Sequence, residues 1–219
     1  MIEANQLYKT YSIVEKELGL KGSIKAFFHP KKKQIHAVQN ISLTVQKGEI
    51  IGYIGSNGSG KSTTIKMLTG VLYPDRGSVK INGLTPQKHR TAVNKQIGVL
   101  FGQKSHLRWD IPVLESFILH AKIYDVPDKV FEERLEQLID LLQLGDFIHQ
   151  PVRNLSLGQR VRCEFAAIFI HQPAVVFLDE PTIGLDASVK ETIRSFIRFM
   201  NKEHQTTFLI TSHDMQDIE

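Results

Sequence analysis

The pattern of apolar and polar positions predicts strands and helices in turn along this chain. The run NISLTV (40–45) alternates as a strand with one buried face does, and EIIGYI (49–54) is the more continuous apolar run of a strand covered on both faces. Further strands are predicted for QIGVLF (96–101), AVVFLD (174–179) and TTFLIT (206–211), the last two buried. SVKI (78–81) leads into Asn82-Gly83, a hairpin signal that indicates a small antiparallel layer.

Helical spacing fills the intervals between these strands. TIKMLTGVL (64–72) follows a glycine-rich loop, and from Val113 to about Ile170 the pattern is helical. Within that stretch Asp128 is predicted to cap a helix that Gly145 stops. Asp186 is predicted to cap a later helix that has one apolar face, formed by Ile193, Phe196, Ile197 and Met200. Alternating strands and helices predict an α/β domain with a mainly parallel central sheet.

Composition narrows the class of protein. The chain has 219 residues, a net charge of +4 and one cysteine, Cys163, which lies in an apolar helical run and is expected to be a core residue of a protein in a reducing compartment. Residues 1–12 lack the apolar centre of a signal peptide, and no apolar run approaches the roughly 18 residues of a membrane span. Basic residues are mostly scattered among acidic ones, which disfavours binding of nucleic acid. A soluble, cytosolic protein is expected.

The segment GSNGSGKS (55–62) fits the phosphate-binding pattern G-x-x-x-x-G-K-[ST] between a predicted buried strand and a predicted helix. Glycines let successive backbone N–H groups surround phosphates at the helix N-terminus. Lys61 is expected to reach the β- and γ-phosphates, and the Ser62 hydroxyl to ligate Mg²⁺. The alternative is a glycine-serine turn that happens to contain a lysine. The predicted nucleotide-binding residues of this loop are Gly55, Ser56, Asn57, Gly58, Ser59, Gly60, Lys61, Ser62 and Thr63.

A pair of carboxylates ends the predicted strand at 174–179. Ligands bind at the carboxyl ends of parallel strands, so Asp179 is expected to hold Mg²⁺ through its water shell and Glu180 to polarise the attacking water. Alternatively, the two carboxylates are solvated charges of a loop without a function. The phosphate loop in the same chain makes this alternative less favoured.

NLSLGQR (154–160) has two features that seem to conflict. Ser156 and Gln159 match a capping box at a helix N-terminus, yet Gly158 is a poor helix former in the first turn. This segment precedes FLDEPTIGLD (177–186), and the two together with the phosphate loop resemble the signature, Walker B and D-loop of the ATP-binding subunits of ABC transporters. Gln103 after GVLFG is similar to the family's Q-loop glutamine, and His213 after FLITS to its switch histidine. The resemblance spans essentially the whole chain.

The resemblance implies an ABC cassette fold, with a small antiparallel β subdomain and a helical subdomain at roughly 104–172 beside the main sheet. It implies that two cassettes pair head to tail, so that Ser156, the backbone at Gly158 and Gln159 meet the nucleotide on the other subunit's phosphate loop. A side chain at Gly158 would crowd that approach. Leu157 replaces a commoner glycine of the family. Asp186 is expected both to cap its helix and to act across the dimer.

Further roles follow from the same resemblance. Gln103 is expected to ligate Mg²⁺ and to report the nucleotide state to a membrane partner. His213 is expected to hydrogen-bond the γ-phosphate and to join Glu180 and Lys61 as a catalytic group.

The base of ATP is expected to stack on an aromatic side chain near the N-terminus. Tyr11 matches the family's upstream aromatic residue, but the segment 12–36 resembles an insertion that lengthens the usual spacing to the phosphate loop. Tyr8 and Phe28 therefore compete with Tyr11 for this role.

Within the insertion a short amphipathic helix ended by Pro30 is predicted, with an apolar face formed by Leu20, Ile24, Phe27 and Phe28. It is either packed on the core with a solvated basic tail or, through residues 20–33, close to the cytoplasmic membrane surface. The insertion resembles that of ABC-2 type exporters. Trp109, within 104–116, is placed on the face that seats a permease, or else in the core.

The favoured function is an ATP-binding and ATP-hydrolysing subunit that uses ATP and Mg²⁺ and dimerises with an identical or closely related subunit. It would drive a separate transmembrane permease, as an exporter, from the cytoplasmic face of the membrane. The alternatives are a soluble ABC-type ATPase acting on nucleic acid or ribosomes, and a nucleotide-binding regulator without turnover. The chain stops soon after His213, where the family normally continues, and is expected to be truncated. The transported substrate would be chosen by the permease.

Overall fold

The computed structural model describes residues 1–14, 32–102 and 105–213. In this part of the chain seven strands form two sheets, and α-helices surround them. The strands are β1 (Ile2–Val14), β2 (Lys32–Val45), β3 (Ile50–Ile54), β4 (Arg76–Ile81), β5 (Ile97–Phe101), β6 (Val175–Asp179) and β7 (Thr207–Ser212). The helices are α1 (Lys61–Leu68), α2 (Arg90–Asn94), α3 (Val113–Ile123), α4 (Asp128–Leu142), α5 (Leu157–Phe169) and α6 (Ala187–His204), with a 3₁₀ turn at Val152–Asn154.

The smaller sheet is antiparallel, in the order β2-β1-β4. Beyond β4 the chain turns tightly at Asn82-Gly83, where both residues have positive φ (49° and 77°) and Ile81 exchanges two backbone hydrogen bonds with Leu84. This geometry is what an Asn-Gly dipeptide favours. The predicted antiparallel layer and its turn are confirmed.

The larger described sheet is entirely parallel, in the order β3-β7-β6-β5. Every residue of β6 and β7 is buried, as predicted. The prediction for β3 was wrong: Ile50 and Ile54 are 38% and 45% exposed, and Ile51 and Tyr53 on the other face are only partly buried, so neither face of this strand is fully covered in the described part of the chain. An apolar run alone does not show which faces of a strand other elements cover.

The helical stretch after Val113 contains α3, the 3₁₀ turn, α4 and α5, and its core joins the parallel sheet. The predicted ends of α4 were wrong. Asp128 is the first helical residue after Pro127, and its carboxylate accepts a hydrogen bond from Lys122 instead of capping the helix. The helix ends at Leu142 before Gln143, whose φ of 53° provides the left-handed cap two residues ahead of Gly145.

Helix α6 confirms the other prediction of a cap. The Asp186 carboxylate accepts a hydrogen bond from the Val189 N–H at 2.9 Å, and the predicted apolar face is buried. Cys163 is also a core residue, and burial raises the pKa of its thiol to about 12. Within the described ranges, no helix is long and apolar enough to cross a bilayer.

Both ends of the predicted insertion belong to the β1–β2 ladder. Ser12 pairs with Gln34, and Tyr11 with Ile35, so the hairpin extends well beyond the rest of the smaller sheet. The predicted amphipathic helix with Leu20, Ile24, Phe27 and Phe28 falls outside the described residues.

His171 lies partly buried, two residues beyond the end of α5. Its Nε2–H donates to the Ile97 carbonyl at 3.0 Å, and its ring stacks on Tyr124 with centroids 3.9 Å apart. Burial in this environment lowers the pKa of His171 from 6.5 to about 4, since the charged imidazolium loses its hydration.

This shift makes the free energy of unfolding depend on pH. The unfolded state takes up a proton on His171 near pH 6.5 and the folded state only near pH 4, so the contribution is complete above pH 6.5 and is lost as the pH falls towards 4. The free energy of unfolding of wild type, measured in urea, should be lower at pH 5 than at pH 7.5. His171→Gln should make this difference about 2 kcal/mol smaller. The exposed His149 offers a control, since His149→Gln should retain the wild-type pH dependence. Identical pH dependence in His171→Gln would contradict the assignment.

Candidate nucleotide-binding site

The loop between β3 and α1 is shaped by a glycine that no other residue can replace. Gly60 has a φ of +90°, and a Cβ built there would lie 2.1 Å from the Ala37 carbonyl oxygen of β2. At its start, the Gly55 N–H donates to the Ser212 carbonyl at 3.4 Å, which fastens the loop to the end of β7. The loop is therefore held between the two sheets, and its backbone opens towards the N-terminus of α1.

Lys61 is the first residue of α1, directly after this loop, and is buried. Its Nζ donates to the carbonyl oxygens of Gly55 (2.6 Å) and Ser56 (3.1 Å) and lies 3.4 Å from Glu180 Oε1. The phosphate loop and the end of β6, which are far apart in sequence, thus meet at one ion pair.

Asp179 and Glu180, at the end of β6, share one hydrogen-bond partner on β7. Asp179 Oδ1 accepts a hydrogen bond from Thr211 Oγ1 at 2.8 Å, and the Glu180 N–H donates to the same hydroxyl oxygen at 3.0 Å. Glu180 has a positive φ of 53°, a conformation that costs energy and often occurs at functional sites. Sequence reasoning missed Thr211, although a hydroxyl inside the buried run TTFLIT was the available signal.

A cavity of about 870 Å³ opens over these groups. This volume lies within the range of small-molecule and cofactor sites. One side is formed by the phosphate loop and the end of β6, and the opposite side by α5 and the segment after β5. The lining of the first side includes Asn57, Gly58, Gly60, Lys61, Ser62, Thr63, Asp179 and Glu180. That of the second includes Gly102, Ser105, Leu157, Arg160 and Glu164.

Two predicted residues follow strands at this end of the sheet. His213 comes directly after β7 and is exposed, next to the Ser212 carbonyl that binds the phosphate loop. It does not line the large cavity. Gln103 is outside the described residues, while its neighbours Gly102 and Ser105 both line the cavity. The roles of both residues stay predictions.

The base-stacking candidates lie on the hairpin or outside it. Tyr11 is exposed on β1 opposite Ile35 and does not line the large cavity. A smaller cavity of about 240 Å³ lies between this hairpin and the phosphate loop and is lined by His36, Ala37, Val38, Gln39, Ile41, Tyr53 and Ser59. Tyr8 pairs with Arg76 on the other side of β1, and Phe28 is outside the described residues. The choice among the three stays a prediction.

The start of α5 forms the predicted capping box. Gln159 N–H donates to Ser156 Oγ at 3.2 Å, and Ser156 N–H donates to Gln159 Oε1 at 2.8 Å. Gly158 has a reason within the chain itself, because a Cβ there would lie 2.8 Å from Val189 Cγ2 of α6. A side chain at Gly158 would have to displace Val189, so the packing of α5 against α6 favours glycine here, independently of any approach by a second subunit.

A parallel strand, a glycine loop with a helix behind it, and a carboxylate pair at the end of the next-but-one strand define a P-loop nucleotide-binding protein. Residues 38–183 match the family model described as ABC transporter. The chain belongs to the ABC transporter family, and it is an ATP-binding cassette of that family, with the cassette's ATPase fold. The resemblance that the motifs indicated is confirmed, and the alternative of an ATPase acting on nucleic acid or ribosomes is not favoured.

Relatives with curated names are similar over most of the chain. The ABC transporter ATP-binding protein NatA of Bacillus subtilis (strain 168) is 33% identical over 192 residues, covering 88% of this chain and 78% of NatA. ABC transporter A family member 1 of Dictyostelium discoideum is 33% identical over 201 residues, covering 92% of this chain but 22% of that protein. The chain thus spans about a fifth of the latter's length and most of NatA.

Solved structures share the fold. The dimeric structure of a bacterial ABC transporter cassette has a TM-score of 0.80 at 24% identity, covering all of this chain and 90% of that one. CbiO1 of Clostridium perfringens, part of an ABC transporter complex, has a TM-score of 0.76 at 24% identity, covering 97% and 78%. The predicted fold class is confirmed: a mainly parallel sheet, a small antiparallel sheet and helices between β5 and β6.

Proposed function

We propose that this chain powers a membrane transporter by hydrolysing Mg-ATP between two cassettes that close head to tail. The observation that carries the proposal is the contact of Lys61 with Glu180 at the base of the cavity, 3.4 Å apart. A cation for phosphate and a carboxylate for water lie side by side at the carboxyl ends of parallel strands, which is what phosphoryl transfer to water requires.

The loop and the lysine would bind the triphosphate. The N–H groups from Gly58 to Thr63 lie at the N-terminus of α1, where the helix dipole favours phosphate. Lys61 would exchange its loop carbonyl partners for β- and γ-phosphate oxygens. Glu180, held by its N–H on Thr211, would accept a proton from the attacking water, and His213 would contact the γ-phosphate.

The residues that face the triphosphate fit a magnesium ion. Ser62 and Asp179 offer oxygen ligands in one cavity, and Thr211 orients Asp179. Among described residues no cluster of three or more His, Cys, Asp or Glu side chains exists that would hold a metal by itself. Mg²⁺ in nucleotide sites takes few protein ligands and several from phosphate and water, so this sparse set suits it. The bound ion would neutralise charge on the β- and γ-phosphates, with Gln103 as a further ligand.

The head-to-tail arrangement is supported by the surface around Ser156. Leu157, within the signature segment, and Ile183, within FLDEPTIGLD, are 44% and 50% exposed. Exposed apolar side chains next to hydrogen-bonding groups are typical of an interface. The partner's nucleotide would meet Ser156, Gly158 and Gln159 there, and Asp186 would add a contact while capping α6. The second subunit would be an identical chain or a close paralogue.

The membrane partner would be a separate permease on the helical side of the cassette. Trp109 is 54% exposed, so it is available to anchor such a partner. We place the chain at the cytoplasmic face of the membrane and expect export, on the resemblance of the 12–36 segment to that of ABC-2 type exporters. Residues 20–33, with their lysines, would add contact with the membrane surface. Tyr11 would stack on adenine at the edge of the smaller cavity.

The proposal is tested at Ser156 by two substitutions that cap helices equally well. Asp and Asn are both good N-cap residues, so Ser156→Asp and Ser156→Asn should both preserve α5. The aspartate adds a negative charge where the partner's γ-phosphate would lie. We expect wild type to change from monomer to dimer on adding Mg²⁺ and a non-hydrolysable ATP analogue, as measured by light scattering. Ser156→Asp should stay monomeric, and Ser156→Asn should dimerise.

Nucleotide affinity of the monomer provides the control, because Ser156 does not contact its own subunit's phosphate loop in this arrangement. All three proteins should therefore bind the analogue within about threefold of each other. A dimer of Ser156→Asp as stable as that of wild type would rule out the head-to-tail contact.

A further inference from the structure

We propose that Arg160 and Glu164 of α5 transmit occupancy of the nucleotide cavity to the exposed surface at Trp109. The inference rests on the proposed nucleotide site and extends it to a specific pair of side chains. The pair lies one helical turn apart, on the same face of α5. Both residues line the cavity, and each contacts a different part of the segment Ser105–Trp109.

Glu164 anchors the start of the segment Ser105–Trp109 to α5. It is only 6% exposed and lies in the otherwise apolar run CEFAAIFI. A buried carboxylate is costly unless hydrogen bonds compensate for its lost hydration. Its Oε1 accepts a hydrogen bond from the Ser105 hydroxyl, and its Oε2 accepts one from the His106 N–H at 2.8 Å. Charged acceptors make the stronger hydrogen bonds, so the segment is held firmly to α5 at this end.

The segment is internally braced from Ser105 onwards. The Leu107 N–H donates to Ser105 Oγ at 3.1 Å, and the Arg108 N–H donates to the buried Ser116 hydroxyl at 3.0 Å. Leu107 is itself part of the core. A displacement at Ser105 therefore reaches Trp109 through a chain of hydrogen bonds and packed side chains rather than being absorbed by a slack loop.

Arg160 is the side chain that would move when a nucleotide binds. Its guanidinium carbon lies 5.9 Å from the centre of the Trp109 ring, within reach of a cation–π interaction. The guanidinium is always charged, and it lines the cavity that would receive a triphosphate. Phosphate oxygens bind guanidinium far more strongly than an aromatic face does. A bound nucleotide would therefore draw Arg160 away from Trp109 and change the environment of that ring.

Residues outside the cavity hold Trp109 from the other side. The Arg153 N–H donates to the Trp109 carbonyl at 3.0 Å, and the Arg153 side chain pairs with Asp110 on the surface. Arg153 immediately precedes the signature segment (154–160) and does not line the cavity. It thus offers a matched control: a basic residue beside Trp109 that no nucleotide in the cavity would reach.

Trp109 is the only tryptophan of the chain, so its fluorescence reports on this surface without labelling. Tryptophan emission would be recorded while Mg²⁺ and a non-hydrolysable ATP analogue are added, and binding of the analogue would be measured separately by calorimetry. We expect wild type to show a saturable change of intensity or wavelength. Arg160→Gln should lose this change and bind the analogue more weakly than wild type, so it is compared at saturating analogue. Glu164→Ala should lose the change while binding the analogue within about threefold of wild type. Arg153→Gln should retain it.

Two further variants guard against misfolding of Glu164→Ala. Glu164→Gln keeps one acceptor oxygen and should keep part of the change, and Ser105→Ala should reduce it, both with the unfolding midpoint near that of wild type. Nucleotide binding by wild type without any change at Trp109 would overturn the inference and leave the proposed site intact. A full change in both Arg160→Gln and Glu164→Ala would overturn it as well. Absence of binding by calorimetry would instead overturn the proposed nucleotide site.

Discussion

Glu180→Gln should lower the turnover number of ATP hydrolysis by about 100-fold or more, while leaving ATP binding intact. Glutamine keeps the shape of the side chain and an acceptor oxygen but cannot take a proton from water. Because Glu180 lies 3.4 Å from Lys61, removing its charge also removes a repulsion towards the γ-phosphate, so the affinity for ATP should not fall. The backbone contact with Thr211 is unaffected by the substitution.

Phosphate release at saturating Mg-ATP measures the turnover, and calorimetry with a non-hydrolysable analogue measures the affinity. Glu136→Gln, on the exposed face of α4, is the matched control and should hydrolyse ATP like wild type. Wild-type turnover by Glu180→Gln would remove Glu180 from the role of base. Loss of binding together with turnover would show that this carboxylate shapes the loop instead.

Gly60→Ala should abolish useful nucleotide binding by distorting the phosphate loop. An alanine at φ +90° is strained by roughly 1–3 kcal/mol, and its Cβ would lie 2.1 Å from the Ala37 carbonyl oxygen. That overlap is with backbone, which no side-chain rotation relieves, so the loop must move away from β2. We expect the dissociation constant for the ATP analogue to rise by about 100-fold or more, equivalent to roughly 3 kcal/mol.

The variant Gly83→Ala distinguishes the effect of backbone strain at positive φ from the effect of steric overlap. Gly83 has a similar φ of +77°, but a Cβ there would meet nothing within 4 Å. This variant should lose about 1–2 kcal/mol of folding free energy in urea unfolding and bind the analogue normally. Normal binding by Gly60→Ala would show that the loop tolerates a side chain against β2, contrary to the structure.

Local patterns predicted those elements whose form depends on neighbours in sequence. The capping box at Ser156, the cap at Asp186 and the turn at Asn82-Gly83 each consist of contacts within a few residues, and all three were predicted. The buried strands β6 and β7 were also predicted, because both faces of a central strand select apolar residues. The same rule failed for β3, because the elements packed against a strand, and not its own composition, decide which of its faces are covered.

Some features of the candidate site were likewise predicted from local sequence, and others were not. The phosphate loop and the carboxylates at 179–180 were predicted, because a motif and a strand end each identify themselves in sequence. Thr211, which binds both carboxylate residues, was missed, and so was the packing of Gly158 against Val189. Each of these contacts joins residues about 30 positions apart, and nothing in either local segment specifies its partner.

Sequence patterns alone indicated the family, most of the strands and helices except β1 and α2, and a set of candidate nucleotide-binding residues. The contacts among these groups followed only from the fold: Lys61 with Glu180, Gly60 with Ala37, and α5 with the segment around Trp109. Hydrophobic periodicity, caps and turns act over a few residues, whereas contacts across the sheets depend on strand order and helix packing, which the whole chain determines together.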